Sequence, residues 1–206
     1  MVSVSAPGRS GGSTVGAGLR TLVAAVVLAG VLTACNDDES PSGSRPDSRP
    51  GEGAALEVKL ASGTDSLDAQ QRSKVQNSVT DVLSDYVVEG FLGDYPREDF
   101  VQSFDSFTAG AARGAARDID LLTGARFADS DGVRATRLLA RISCLTDDDD
   151  VLGATAHVDF AFEVTDGKAA PQAVSLRGRF MLEEDDGDWS VFGYDVVRDD
   201  AERADS

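Results

Sequence analysis

Residues 152–164, "LGATAHVDFAFEV", place Leu152, Ala154, Ala156, Val158, Phe160, Phe162 and Val164 on one side of an extended chain, and His157, Asp159 and Glu163 on the other. Successive strand side chains point to opposite faces, so this alternation predicts a strand with one buried face. Val174, Leu176, Gly178, Phe180 and Leu182 repeat the pattern. The Asp-Gly pair of "EDDGDW", residues 184–189, predicts a hairpin turn, followed by a last strand, "WSVFGYDVV", that is apolar on both sides. Upstream, Leu138, Ala140, Ile142 and Cys144 alternate with Arg137, Arg141 and Ser143 as a first strand, although Arg134, Arg137 and Arg141 also fit one side of a helix.

Before these strands the period changes. In residues 66–93, Val75, Val79, Val82, Leu83 and Tyr86 recur at helical spacing, with Gly90 and Gly93 as stops, which predicts a helix from about Leu67 to Glu89. A second helix is expected after Pro96, with Glu98 and Asp99 near its positive end and a stripe of Phe100, Phe104, Phe107, Ala111 and Ala115. The stripe tapers from large to small. "GAARGAAR", residues 110–117, therefore predicts close approach to a neighbour with Arg113 and Arg117 facing outward; the two arginines argue against reading Gly110 and Gly114 as a membrane pairing motif. Helices followed by hairpin-linked antiparallel strands predict an α+β domain with helices on one sheet face.

The N-terminal segment has a different character. Arg9 and Arg20 precede an apolar run from Thr21 to Ala34, long enough for a signal-peptide core but short of the roughly 20 residues that span a bilayer. At its end, Leu32-Thr33-Ala34-Cys35 resembles the lipobox of bacterial lipoproteins. The resemblance implies cleavage before Cys35 and diacylglycerol on its sulfur, hence a chain held on the extracytoplasmic face of the cell membrane. Each buried methylene contributes about 0.8 kcal/mol, and two acyl chains anchor stably where one does not. Residues 36–54, "NDDESPSGSRPDSRPGEGA", lack apolar periodicity and predict a disordered tether with an r.m.s. span near 25 Å. The expected organisation is a leader over 1–34, a tether over 35–55, a domain over 56–198 and an acidic disordered tail over 199–206.

Charge narrows the partners. The chain carries 19 basic and 36 acidic residues; without Arg9 and Arg20 a formal charge of −19 remains. Such a chain repels phosphate backbones, which argues against nucleic acid as a partner. Arginine outnumbers lysine 16 to 3, a composition associated with GC-rich bacterial genomes. Cys35 and Cys144 are the only cysteines, so lipid on Cys35 leaves no intrachain disulfide. Cys144 lies among apolar residues and reads as a small hydrophobe, with Arg141 expected on the opposite strand face, too poorly placed to lower its pKa.

The order of elements, the size and the ending "DGDWSVFGYDVV" are similar to the NTF2-like, cystatin-like superfamily of curved-sheet cone domains. "FTAGAARGAARDIDLLTGARF", residues 107–127, together with that ending resembles uncharacterised exported proteins of GC-rich bacteria. In NTF2-like enzymes of the ketosteroid isomerase and SnoaL type, an acid or base inside the cone does the chemistry. The resemblance therefore directs attention to Asp195, which strict alternation places with Trp189, Val191 and Val197, or which lies at the rim where the last strand bends at Gly193. Tyr194 and Tyr86 are the candidate oxyanion donors.

The solvated side of residues 152–164 carries His157 and Asp159, roughly 6–7 Å apart as i, i+2 strand neighbours. That is too far for a directly hydrogen-bonded base and carboxylate. Arg177 and Arg179 are expected to meet these acids across strands as exposed pairs. The acid runs "TDDDDVLG" and "EEDDGDW" do not fit the calcium-loop spacing and read as hairpin turns; no metal or cofactor is expected. The expectation is a non-catalytic, lipid-anchored binding or accessory module, with a small-molecule enzyme as the alternative. Phe100, Phe104, Phe160, Trp189 and Phe192 are the candidate pocket or partner face. The partner is expected to be an envelope protein or an apolar small molecule, and the two-sided last strand also suggests a homodimer.

Overall fold

The computed structural model describes residues 53–148 and 150–200; the leader, Cys35, most of the tether and residues 201–206 lie outside them. It is a mixed α+β arrangement in which a curved, five-stranded, mostly antiparallel sheet packs against a few helices. The strands are β1 (Leu56–Ser62), β2 (Gly132–Asp147), β3 (Asp150–Thr165), β4 (Gln172–Asp185) and β5 (Asp188–Asp200), hydrogen-bonded in sequence order. Among the adjacent described strands, the β1–β2 pair is parallel and the others are antiparallel. The sequence reading did not anticipate β1, although Leu56, Val58 and Leu60 alternate with Glu57 and Lys59. Asp199 and Asp200, expected in the tail, complete β5, and the Ala54 amide already donates to the Ala135 carbonyl at 2.9 Å.

Helix α1 (Ala69–Phe91) starts where Asp68 and Gln71 bond each other's backbone amides as a capping box. Its expected stripe, Val75, Val79, Val82, Leu83 and Tyr86, is buried. Gly90 does not stop it but lies within the last turn beside Ser103, and the chain turns at Gly93, where φ is +105°. Arg97 then closes the end, donating to the carbonyls of Glu89 and Leu92 while lying over the Phe100 ring.

The single second helix is not formed. A 3-10 turn spans Val101–Phe104, and α2 (Ala109–Ala115) starts afresh with Thr108 as its cap. Between them the chain pairs with the sheet: the Val191 amide donates to the Ser106 carbonyl, and the Thr108 amide to the Val191 carbonyl, each at 2.9 Å. Two sheet bonds thus replace helical ones, while Phe100, Phe104, Phe107, Ala111 and Ala115 all remain buried. Arg113 and Arg117 are exposed as expected. Gly114 gives close approach to Tyr194, whereas Gly110 faces open space. A short α3 (Ile119–Leu122) follows.

Among the described strands, the two-residue register is broken at Ala61 in β1, Thr136 in β2, Leu152 in β3 and Phe192 in β5, each opposite no partner residue. A bulge shifts the two-residue alternation by one and sends later side chains to the other face. Leu152, expected inside, is consequently 54% exposed. Both acid runs form two-residue hairpin turns, closed by the pairs Asp147–Asp150 and Asp185–Asp188; Asp186 and Gly187 adopt φ of 53° and 96°.

Candidate functional site

The helix-facing side of the sheet is filled. Phe91 stacks on Phe162 with centroids 4.3 Å apart, and Tyr86 meets Phe180 edge-on at 5.0 Å. Phe107 closes on both Tyr86 and Phe180. Of the candidate face, Phe100, Phe104 and Phe160 belong to this core and Trp189 is nearly as buried; Phe192 alone is exposed, at 49%.

The cone residues carry structural partners. Beyond the Phe192 bulge, Tyr194, Val196 and Arg198 lie opposite Phe180, Gly178 and Leu176, which turns Asp195 outward. Its carboxylate is exposed and accepts a hydrogen bond from Arg179 at 2.9 Å, so the interior placement is overturned by one inserted residue. The glycine that follows Phe192 was the available signal, because glycine inside a strand often marks a bulge. Tyr86 donates to the Leu122 carbonyl and Tyr194 to the Asp118 carboxylate at 2.7 Å, so neither hydroxyl is aimed at open space.

Sequence reasoning did not single out Arg198. Its buried side chain donates to the carbonyls of Asp120 and Thr123 and to the Asp200 carboxylate, and lies over the Phe127 ring. These bonds tie the end of β5 to the segment around α3. A charge-assisted set of this kind stabilises only while every member is present.

Burial raises the pKa of all three tyrosines. It pushes Tyr86 above the ordinary range against the pull of Arg198, and raises Tyr95 against Arg97. Burial, then the bond to Asp118, pushes Tyr194 up to about 12. Because the folded values exceed the unfolded one near 10, the stability linked to these groups is complete below pH 10 and is lost as pH rises towards the folded values. Phenolate absorbance is therefore expected to lag a free-tyrosine titration between about pH 10 and 12 and to appear together with loss of tertiary circular dichroism. Native ionisation of all three near pH 10 would contradict this packing.

The outer face is open. Leu145, Leu152, Met181 and Phe192 border a groove of about 410 Å³ near the hairpin ends. Two of the four are bulge residues, which is how large apolar side chains come to stand on the solvent side. Cys144 also borders the groove; burial raises its thiol pKa, and no cation opposes that shift. A second cleft of about 360 Å³ lies between the start of α1 and the hairpins, lined by Lys74, Val75, Val151, Glu184 and Trp189.

Beside the groove the outer face carries ion-paired charges of both signs. Lys59, Arg141, His157, Arg179 and Asp195 are cross-strand neighbours in one row over five strands. In the next row Asp159 accepts from Arg137 at 2.7 Å and from Arg177 at 3.2 Å. Burial raises its carboxyl pKa, but the bonds and charges of the two guanidiniums outweigh that effect and hold it below the usual range. The Asp159 carboxylate is thus engaged by Arg137 and Arg177.

Searches against protein-family models, curated proteins and solved structures found no match. Among the described residues there is no group of three or more metal-ligating side chains, and no helix long and apolar enough to cross a membrane.

Proposed function

We propose that this chain is a lipid-anchored extracytoplasmic accessory module that works through the outer face of its sheet. The leader ending in Leu32-Thr33-Ala34-Cys35 supports the anchoring. The curved, mainly antiparallel sheet packed against a long helix supports an NTF2-like assignment. The observation that carries the reading is the exchange of roles between the two sheet faces: aromatic side chains occupy the interior, where related folds place catalytic groups, while Phe192, Met181, Leu145 and Leu152 border an exposed groove. Exposed apolar surface beside charged side chains is the anatomy of a protein-binding patch.

The test compares two variants of the full chain recovered in mild detergent. Phe192→Asp is expected to lose associated envelope proteins by at least about tenfold, as for a central apolar anchor, while Asp195→Asn retains them. Mass spectrometry of the same sample is expected to find diacylglycerol on Cys35. Retention of associated proteins by Phe192→Asp, with loss in Asp195→Asn, would point instead to chemistry at the last strand; an unmodified Cys35 thiol would remove the anchor.

A further inference from the structure

Among the described residues bordering the outer groove, Glu183 alone is charged. Alternation in β4 buries Leu182 and turns Glu183 to the solvent side. The register sets it level with Gly153 and Leu145, and Met181 stands two residues along the same strand face, roughly 6–7 Å away. Leu152 and Phe192 complete the apolar surround from β3 and β5. Asp159, Glu163 and Asp195, on the same face, are matched within the chain by Arg137 and Arg177, by Arg134 and by Arg179.

Glu183 has no such cation among the described residues. The hairpin tips beyond it carry the pairs Asp147–Asp150 and Asp185–Asp188, all of the same sign. Lys74 meets Glu184 instead, at 4.0 Å on the helix-facing side. The groove is therefore an apolar surface with one unmatched carboxylate standing in it.

We propose, on the reading of this face as a binding surface, that the groove receives a segment of another envelope protein carrying one lysine or arginine between apolar side chains. The apolar flanks cover Leu145, Leu152, Met181 and Phe192, and the cation meets Glu183. Covering the groove strips water from the Glu183 carboxylate, and an ionised carboxylate taken out of water without a countercharge is strongly disfavoured. A neutral segment leaves that anion unpaired, and an acidic one adds repulsion. A basic segment forms a charge-assisted hydrogen bond in a partly dehydrated setting. Affinity then comes from the apolar contact and the choice of partner from the one carboxylate, which makes Glu183 the specificity-determining residue of this face.

The test uses short fluorescent peptides with a central lysine, glutamine or glutamate between paired leucines. They are titrated against the full chain in mild detergent and read by anisotropy, with empty micelles subtracted. Wild type is expected to bind the lysine peptide at least about tenfold more tightly than the glutamine peptide. Glu183→Gln is expected to abolish that preference and Glu183→Lys to transfer it to the glutamate peptide, while Phe192→Ser weakens binding of all three. Thermal unfolding of the Glu183 variants should stay near wild type, because the side chain is exposed. Equal binding of the three peptides by wild type, or a lysine preference that survives Glu183→Gln, overturns the basic segment. If Phe192→Ser still weakens binding in that case, the binding face stands; if it binds every peptide as wild type does, the binding face falls as well. Absence of binding to wild type also overturns the basic segment, and the envelope proteins retained through Phe192 then decide the face separately.

Discussion

Phe162→Ala is expected to lower the stability of the domain by about 3–5 kcal/mol, a large share of the 5–15 kcal/mol typical of a domain. Phe162 is 1% exposed, and its ring lies within 9° of parallel to Phe91. Removal takes away both the buried ring area and the partner of the stack, on the sheet face where α1 docks. Its stacked partner Phe91 comes from α1 and its cross-strand neighbours Ala135 and Val174 from β2 and β4, so no single segment can move in to close the gap. Urea unfolding should show a lower midpoint with an unchanged slope. Phe192→Asp, on the opposite face, is expected to change stability by less than about 0.5 kcal/mol, and the contrast separates folding from binding. Equal losses at the two positions would mean that the faces are misassigned.

Gly178→Ala is expected to destabilise by about 2–4 kcal/mol, combining backbone strain with a clash that cannot relax. Gly178 adopts φ of +144° in the middle of β4, and a Cβ there would lie 2.2 Å from the Asp195 carbonyl oxygen and 2.6 Å from the Val196 Cα. Both obstacles are backbone of the adjacent strand, just beyond the Phe192 bulge. The melting temperature should fall by roughly 10 °C. Gly110→Ala provides the comparison: nothing lies within 4 Å of its Cβ position, and alanine inside a helix is favoured over glycine by up to about 1 kcal/mol. A harmless Gly178→Ala would show that β4 and β5 do not pair in this register.

The same register explains what the amino-acid sequence reveals and what it hides. Alternation in β3 and β4 is legible because their apolar residues keep a strict period of two over most of their length, and α1 is legible from its 75, 79, 82, 83, 86 spacing. Helix α2 is misjudged in extent because Phe100, Phe104 and Phe107 keep helical spacing although the chain leaves the helix to bond Val191. Leu152 and Asp195 are misplaced for a related reason. A bulge depends on pairing with a neighbouring strand, and a sequence read one strand at a time holds only a hint of it in Gly153 and Gly193. Once Phe192 is set aside as the inserted residue, the two-sided last strand becomes Trp189, Val191, Tyr194 and Val196 facing inward, with Phe192, Asp195 and Val197 facing outward. The candidate site follows from that one correction. The residues of the groove were present as letters, but they become a surface only when the strand register and its bulges are known.

The most direct measurement is side-chain footprinting of the protein in intact envelopes, compared with the same protein diluted in detergent. Met181, Leu145 and Phe192 are expected to be shielded in the envelope and labelled on dilution, while the cleft beside Trp189 is labelled equally in both. Equal labelling of the three outer-face residues in both states, with shielding confined to Lys74, Val151 and Trp189, would contradict the assignment of recognition to the outer face and move it to the cleft.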